Sequence, residues 1–272
     1  MQSLSDLVKQ EGKRIALVPT MGSLHKGHLS LMKNGLEHAD FLVISIFVNP
    51  AQFGPGEDLE SYPRNFERDA ELAEKAGVNV IFAPGVGEIY SEHFQTYLTL
   101  QDLPNHLCGL SRPDHFRGVA TIVSKLFNIV KPHTAIFGQK DFQQLAVIKQ
   151  MASDLNFDIE VIGAPTIRED DGLALSSRNV YLNTAERTPA LSLFKALNNS
   201  QTLLKSGIRD ASRIIREAVE LIDAHKETGI DYITICDPET LTDIKIIEKP
   251  VLMALAVKVG KTRLIDNMIL EP

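Results

Sequence analysis

Cysteine is scarce in this chain: Cys108 and Cys236 are the only two in 272 residues, and neither has a CxxC partner. No HExxH stands elsewhere, so the usual zinc-ligand spacings are missing. Two unpaired-looking thiols suit a reducing cytoplasm, where both are expected to be packing residues. No apolar run reaches ~18 residues, which excludes a membrane-spanning helix. The opening residues also lack the basic start and long apolar core of a secretory signal. Positive charge is in deficit. Lys and Arg number 28 against 35 Asp and Glu, and the resulting net charge of −7 argues against sequence-independent nucleic-acid binding. Neither a Walker A loop nor GxGxxG occurs, so a P-loop kinase and a typical dinucleotide enzyme do not fit. There is no internal repeat or low-complexity tract. What remains is one large or two modest domains with ample core.

What is present begins with Pro19-Thr20-Met21-Gly22-Ser23-Leu24-His25-Lys26-Gly27-His28. Upstream, the apolar run 14–18 reads as a buried parallel strand. Downstream, Leu29, Leu31, Met32 and Leu36 recur at helical spacing. The segment therefore joins a strand end to a helix start, where unpaired N–H groups and the positive end of the macrodipole attract phosphate. His25 and His28 lie on one face of that turn, and both rings can donate to the same phosphate oxygens. Gly27 keeps a Cβ away from an approaching ligand. On spacing alone, two such histidines also suit a zinc site or an ordinary surface.

Three further segments carry polar groups at element ends. A buried-strand run over 44–48 leads into Asn49-Pro50-Ala51-Gln52, whose neutral amides suit a hydroxyl or a carboxylate; a plain turn has the same composition. Gly138-Gln139-Lys140-Asp141 follows another apolar run. Lys140 can meet a phosphate as a point charge and Asp141 can accept from ribose hydroxyls, although a helix cap beside a solvated charge reads alike. Gly172 precedes Leu175-Ser176-Ser177-Arg178-Asn179, where hydroxyls and a guanidinium suit phosphate oxygens and equally suit an ordinary loop.

Taken in order, PTMGSLHKGH, FVNPAQFGPGEDLESYPR, RPDHFRGVATIVSKLFNIVKP, FGQKDFQQ and DGLALSSRNVYL resemble the pantoate–β-alanine ligase family of the HxGH nucleotidylyltransferase superfamily. The likeness covers most of residues 14–182, while 183–272 carry little signature. It implies that ATP and (R)-pantoate form pantoyl adenylate and pyrophosphate, and that β-alanine then displaces AMP. It also implies ATP contacts from Met21, Gly22, Ser23, Leu24, His25, Lys26, Gly27 and His28. Further ATP contacts implied are Gly138, Gln139, Lys140, Asp141, the backbone of Ile167, Leu175, Ser176, Ser177 and Arg178. His28, His25 and Lys140 are the implied catalytic set, with His28 the acid/base group. Gln52, Gln144 and Asn49 are the implied substrate contacts. Mg²⁺ on the nucleotide phosphates and a homodimer are expected, with no tightly bound organic cofactor, no nucleic acid and no membrane among the partners. Two departures stand out: Thr166-Ile167 where Pro-Ile or Pro-Val is common, and Gln139 where Glu is frequent. The Ser-Ser-Arg segment also lacks the central Lys of KMSKS-like signatures, so Arg178 and Lys140 must supply that charge.

The expected fold class is α/β, a Rossmann-like parallel sheet with helices on both faces plus a smaller α+β C-terminal domain. The expected boundary separates 1–167, for ATP and pantoate, from 168–272. Strands near 14–19, 41–48, 78–83, 133–137 and 158–162 alternate with helices near 27–38, 65–76, 116–130 and 140–153. Helices over 184–205 and 209–227 then precede strands near 230–236, 251–257 and 262–269. The stretch 52–62, with two Gly and a Pro, reads as a flap over a water-sensitive anhydride. Rival readings remain. Another adenylyltransferase of the superfamily would share HxGH but not the Asn49 and Lys140 segments. An aminoacyl-tRNA synthetase fragment fits poorly with a short acidic chain. A non-catalytic nucleotide sensor fits poorly with so many retained phosphate contacts.

Overall fold

The structure, a computed structural model, describes residues 1–272. It divides into two compact units, the first comprising 1–101, 112–139 and 144–166, the second 102–111, 140–143 and 167–272. In chain order the elements bearing on the first unit are α1 (Gln2–Gln10), β1 (Ile15–Thr20), α2 (Lys26–His38), β2 (Phe41–Ile46), α3 (Phe66–Lys75), β3 (Val80–Phe82) and α4 (Val86–Ile89). After α5 (Cys108–Ser111), in the second unit, come α6 (His115–Val130), β4 (Thr134–Gly138), α7 (Phe142–Asp154) and β5 (Glu160–Ala164).

The five strands form one parallel sheet in the order β3-β2-β1-β4-β5. The run 15–18 is continuously apolar because both of its faces are covered. Ile15 and Leu17 join a core with Val119, Val123 and Phe127 of α6 and Ile148 of α7. Ala16 and Val18, pointing the other way, join Met32 of α2 and Ala73 of α3. Leu17 is fully buried, and burying such a side chain stabilises by about 1.5–3 kcal/mol. The order of strands reverses between β1 and β4, and ligands of open α/β sheets bind beyond the C-terminal strand ends at such a switch. A close approach fixes α6 against the turn after β2. A Cβ on Gly118 would overlap the Ala51 carbonyl, so only glycine fits there.

In the second unit, α8 (Thr184–Lys205) and α9 (Ala211–Asp223) cover an antiparallel sheet of β6 (Thr228–Cys236), β7 (Val251–Val259) and β8 (Thr262–Leu270), with β7 central. Both faces of the molecule's parallel sheet carry helices, and the smaller α+β sheet follows it in the chain, as expected. The boundaries differ in places. Helix α9 stops at Asp223 rather than near 227, because the Thr228 hydroxyl donates to the Ile222 and His225 carbonyls and ends the helical ladder. Strand β5 starts at Glu160, the residue in register with Thr134 of β4. Helix α1 was not anticipated, although Leu4, Leu7 and Val8 stand at helical spacing; nor were the short elements between 86 and 111, which are too brief to show a period. Cys108 and Cys236 are both buried free thiols.

Candidate active site

The loop after β1 is built by side chains that occupy its own backbone donors. Thr20 Oγ1 donates to the Ser45 carbonyl at 2.7 Å and accepts the Gly22 N–H at 3.1 Å. Gly22 (φ +82°) and Ser23 (φ +51°) then turn through the left-handed region, which glycine enters without strain. The carboxylate of Asp69, on α3 and only 1% exposed, accepts the N–H groups of Ser23 and Leu24, both at 2.7 Å. Arg68, next along α3, donates to the Leu24 carbonyl at 3.1 Å. The turn is thus clamped on both sides.

His25 is the N-cap of α2. Its Nδ1 accepts the Gly27 N–H at 3.1 Å, and Nδ1 of His28 accepts the His25 N–H at 3.3 Å, a reciprocal capping box made of two imidazoles. An Nδ1 that accepts leaves the ring proton on Nε2 in the neutral tautomer. Both rings, with centroids 4.1 Å apart, are therefore set as Nε2–H donors. Mutual capping thus holds both imidazoles of the HxGH spacing at the first turn of α2.

The turn after β2 holds the two amides. Asn49 caps a 3-10 turn, Pro50–Gln52, and is 1% exposed. Its Nδ2 donates to Gln52 Oε1 and to the Gly118 carbonyl, both at 3.1 Å, while its Oδ1 accepts from the Tyr90 hydroxyl and the Ala51 N–H. Those four bonds use the whole capacity of the amide. Gln52 Nε2 donates to Met21 Sδ at 3.2 Å. Past Gln52, the stretch read as a flap is tied down. Arg112 pairs with Glu57 through two bonds of 2.6 Å and donates to the Gln52 carbonyl, which His115 Nδ1 also meets at 2.8 Å. Burial opposes the charge on Glu57, but its bonds to Arg112 outweigh that and hold the carboxyl below its ordinary range. Beyond β4, a 3-10 turn, Gln139–Asp141, leads into α7 and Gln144.

The second unit carries the other predicted groups. Leu175 donates its N–H to the Ile167 carbonyl and Glu169 its N–H to Leu173, so 167–175 forms a small hairpin that turns at Gly172. Arg168 anchors it by a bidentate pair with buried Asp266, at 2.6 and 2.8 Å, and lies over the Phe194 ring. Ser176 then caps the 3-10 turn Ser177–Tyr181, accepting the Arg178 N–H. The Lys140 carbonyl is held by Asn267 Nδ2 at 2.8 Å. Of the two adjacent glutamines, Gln143 spends its amide on the backbone of Leu103, His106 and Cys108, while Gln144 is half-buried.

Sequence reasoning missed Asp69, Tyr90, Arg112 and His115. Asp69 and Tyr90 carried no signal, since an acid in a first helical turn and a Tyr just past a one-turn helix are ordinary. The RPDH stretch did contain Arg112 and His115, but gave no hint of their common target.

A parallel sheet with a switch point after β1, and an imidazole pair capping the next helix, define an α/β protein with an HxGH turn. The chain belongs to the pantoate–β-alanine ligase family: a profile described as "Pantoate-beta-alanine ligase" matches residues 1–269. A pantothenate synthetase of Desulfatibacillum aliphaticivorans is 59% identical over 100% of this chain and 97% of its own, and one of Syntrophus aciditrophicus is 54% identical over 98% and 93%. Among solved structures, a pantothenate synthetase from Thermus thermophilus matches with a TM-score of 0.93 at 45% identity, covering 95% of this chain and 94% of that one. A pantoate–β-alanine ligase from Francisella tularensis, crystallised with β-γ ATP and β-alanine, matches at 0.80 and 32% identity, covering 98% and 94%. The chain is accordingly a ligase of pantothenate biosynthesis.

Proposed function

We propose that this chain joins (R)-pantoate to β-alanine in two steps at the expense of ATP. In the first, the pantoate carboxylate attacks the α-phosphorus, a new P–O bond forms and pyrophosphate leaves. In the second, the β-alanine amine attacks the acyl carbon, the C–O bond to phosphate breaks, AMP leaves and the amine gives up its proton. The observation that carries this reading is the reciprocal His25–His28 cap, found at the start of α2 in a chain of this family.

Bringing a carboxylate to a polyphosphate requires positive or donor groups where charge develops. We assign that role to the Nε2–H of His25 and His28 and to Lys140, with His28 as acid/base group. Met21, Gly22, Ser23, Leu24, Lys26, Gly27, Gly138, Gln139, Asp141, Ile167, Leu175, Ser176, Ser177 and Arg178 complete the proposed ATP contacts. Gln52 and Gln144 take the pantoate, and Asn49 acts on it through Gln52, since its own amide is saturated. Mg²⁺ enters as part of the nucleotide substrate, because that ion keeps to phosphate oxygens and water with one or two carboxylates. No helix is long and apolar enough to cross a membrane. A cytoplasmic homodimer completes the proposal.

Steady AMP release by the purified chain is expected only when ATP, pantoate and β-alanine are all present, and AMP made without pantoate would overturn the proposal. In the same assay Gln52→Ala and Gln144→Ala should raise KM for pantoate by roughly ten- to a hundredfold with ATP little affected, the cost of an unpaired buried hydrogen-bonding group. Equal losses for ATP and pantoate would show that the amides serve another ligand.

A further inference from the structure

We infer that Tyr90 is a positioning residue for the acid substrate, acting through Asn49 to present Gln52 as a hydrogen-bond donor. The inference rests on the assignment of Gln52 to pantoate above. Its physical basis is a directional chain of bonds. The Tyr90 hydroxyl donates to Asn49 Oδ1 at 2.7 Å, the shortest bond in the network. Asn49 Nδ2 donates to Gln52 Oε1, and Gln52 Nε2 is left pointing its protons onward, toward Met21 Sδ. Each amide is conjugated, so a proton donated to its oxygen makes its N–H groups better donors, and such chains strengthen cooperatively. The Ala51 N–H also reaches Asn49 Oδ1, but at 3.3 Å, so Tyr90 is its nearer donor.

The chemistry selects the ligand. Gln52 Oε1 takes the Asn49 N–H, while the two protons are on Nε2 and point onward, so a ligand meeting Nε2 must accept, and the matching atom is a carboxylate or hydroxyl oxygen. An amine or ammonium at the same point would find a donor facing a donor. The phenol suits this role because burial pushes its pKa up to about 12, so it stays protonated across the working range. Its ring is held independently, packed on Phe47 at 6.3 Å and edge-on to Phe94 at 5.0 Å. Tyr90→Phe therefore removes the hydroxyl and keeps the packing.

Tyr90→Phe is expected to raise KM for pantoate roughly three- to tenfold, as for one lost hydrogen bond, with KM for ATP unchanged. The decisive readout is a double-mutant cycle with Gln52→Ala. If Tyr90 acts through Gln52, the Phe substitution adds nothing to KM for pantoate once Gln52 is gone. Additive effects, or equal rises for pantoate and ATP, would reduce Tyr90 to a structural residue and overturn the inference. If Gln52→Ala raises KM and Tyr90→Phe does not, the inference alone fails. If Gln52→Ala itself leaves pantoate untouched, the pocket assignment falls and the inference with it.

Discussion

His28→Ala and Lys140→Ala are each expected to lower kcat by roughly 10²-fold or more in a chain that remains folded, the loss typical of a donor that stabilises transition-state charge. For His28 the structural cost is small. Its Nδ1 accepts the His25 N–H at a long 3.3 Å, while the His25 side chain still caps Gly27. What disappears is an Nε2–H donor fixed in direction by that bond. For Lys140 the backbone is held by Asn267 through the Lys140 carbonyl, an attachment alanine retains. Only the ammonium is lost, and with it a point charge for a phosphate. Steady-state kinetics on variants that melt like the parent would check both. Near-normal turnover in either would remove that residue from the catalytic set.

Asp69→Ala should be costly in a different way, because the carboxylate holds the loop that carries both imidazoles. Two N–H groups, of Ser23 and Leu24, lose their acceptor together, and an orphaned buried donor costs about 1–3 kcal/mol. A destabilisation of about 3 kcal/mol is expected, together with a fall in kcat/KM of at least roughly tenfold as the His25 cap loses its fixed approach. Asp69→Asn should fall between. It keeps one oxygen for one N–H but turns an NH₂ toward the other. The ordering parent, Asn, Ala should appear in both denaturant midpoints and kcat/KM. Unchanged activity in the alanine variant would show that the loop holds its shape without the clamp.

The contrast between His28 and Asp69 shows what a one-dimensional reading reaches. The parallel sheet was legible because strands buried on both faces must be apolar at every position, as 15–18 are, and because the helices between them keep a 3.6-residue period. The HxGH turn was legible because capping is local: His25 and His28 meet three residues apart. Asp69 lies more than forty residues from the loop it clamps, and an acid in a first helical turn is ordinary helix chemistry. Tyr90 likewise meets Asn49 only through the packing of α4 and the turn after β2. Adjacent Gln143 and Gln144 illustrate the same limit. Nothing in the sequence separates the amide that ties down residues 103–108 from the one proposed for substrate. The sequence points to Asn49 as a ligand contact; in the structure its amide makes four bonds within the protein, one of them to Gln52 Oε1, which no local pattern shows. Helix α1 was legible too, since Leu4, Leu7 and Val8 stand at i, i+3 and i+4, but the stretch was read only for a secretory signal.

The most direct measurement follows the nucleotide when β-alanine is withheld. With ATP and pantoate alone, pyrophosphate should appear in a burst comparable to the enzyme concentration, and labelled pyrophosphate should exchange into ATP, because formation of the anhydride is reversible. Attack at the γ-phosphorus through an acyl phosphate would instead yield ADP and orthophosphate, with no such exchange. Pyrophosphate exchange that requires pantoate is the expected result; ADP in its place would contradict the assignment of His25, His28 and Lys140 to chemistry at the α-phosphate.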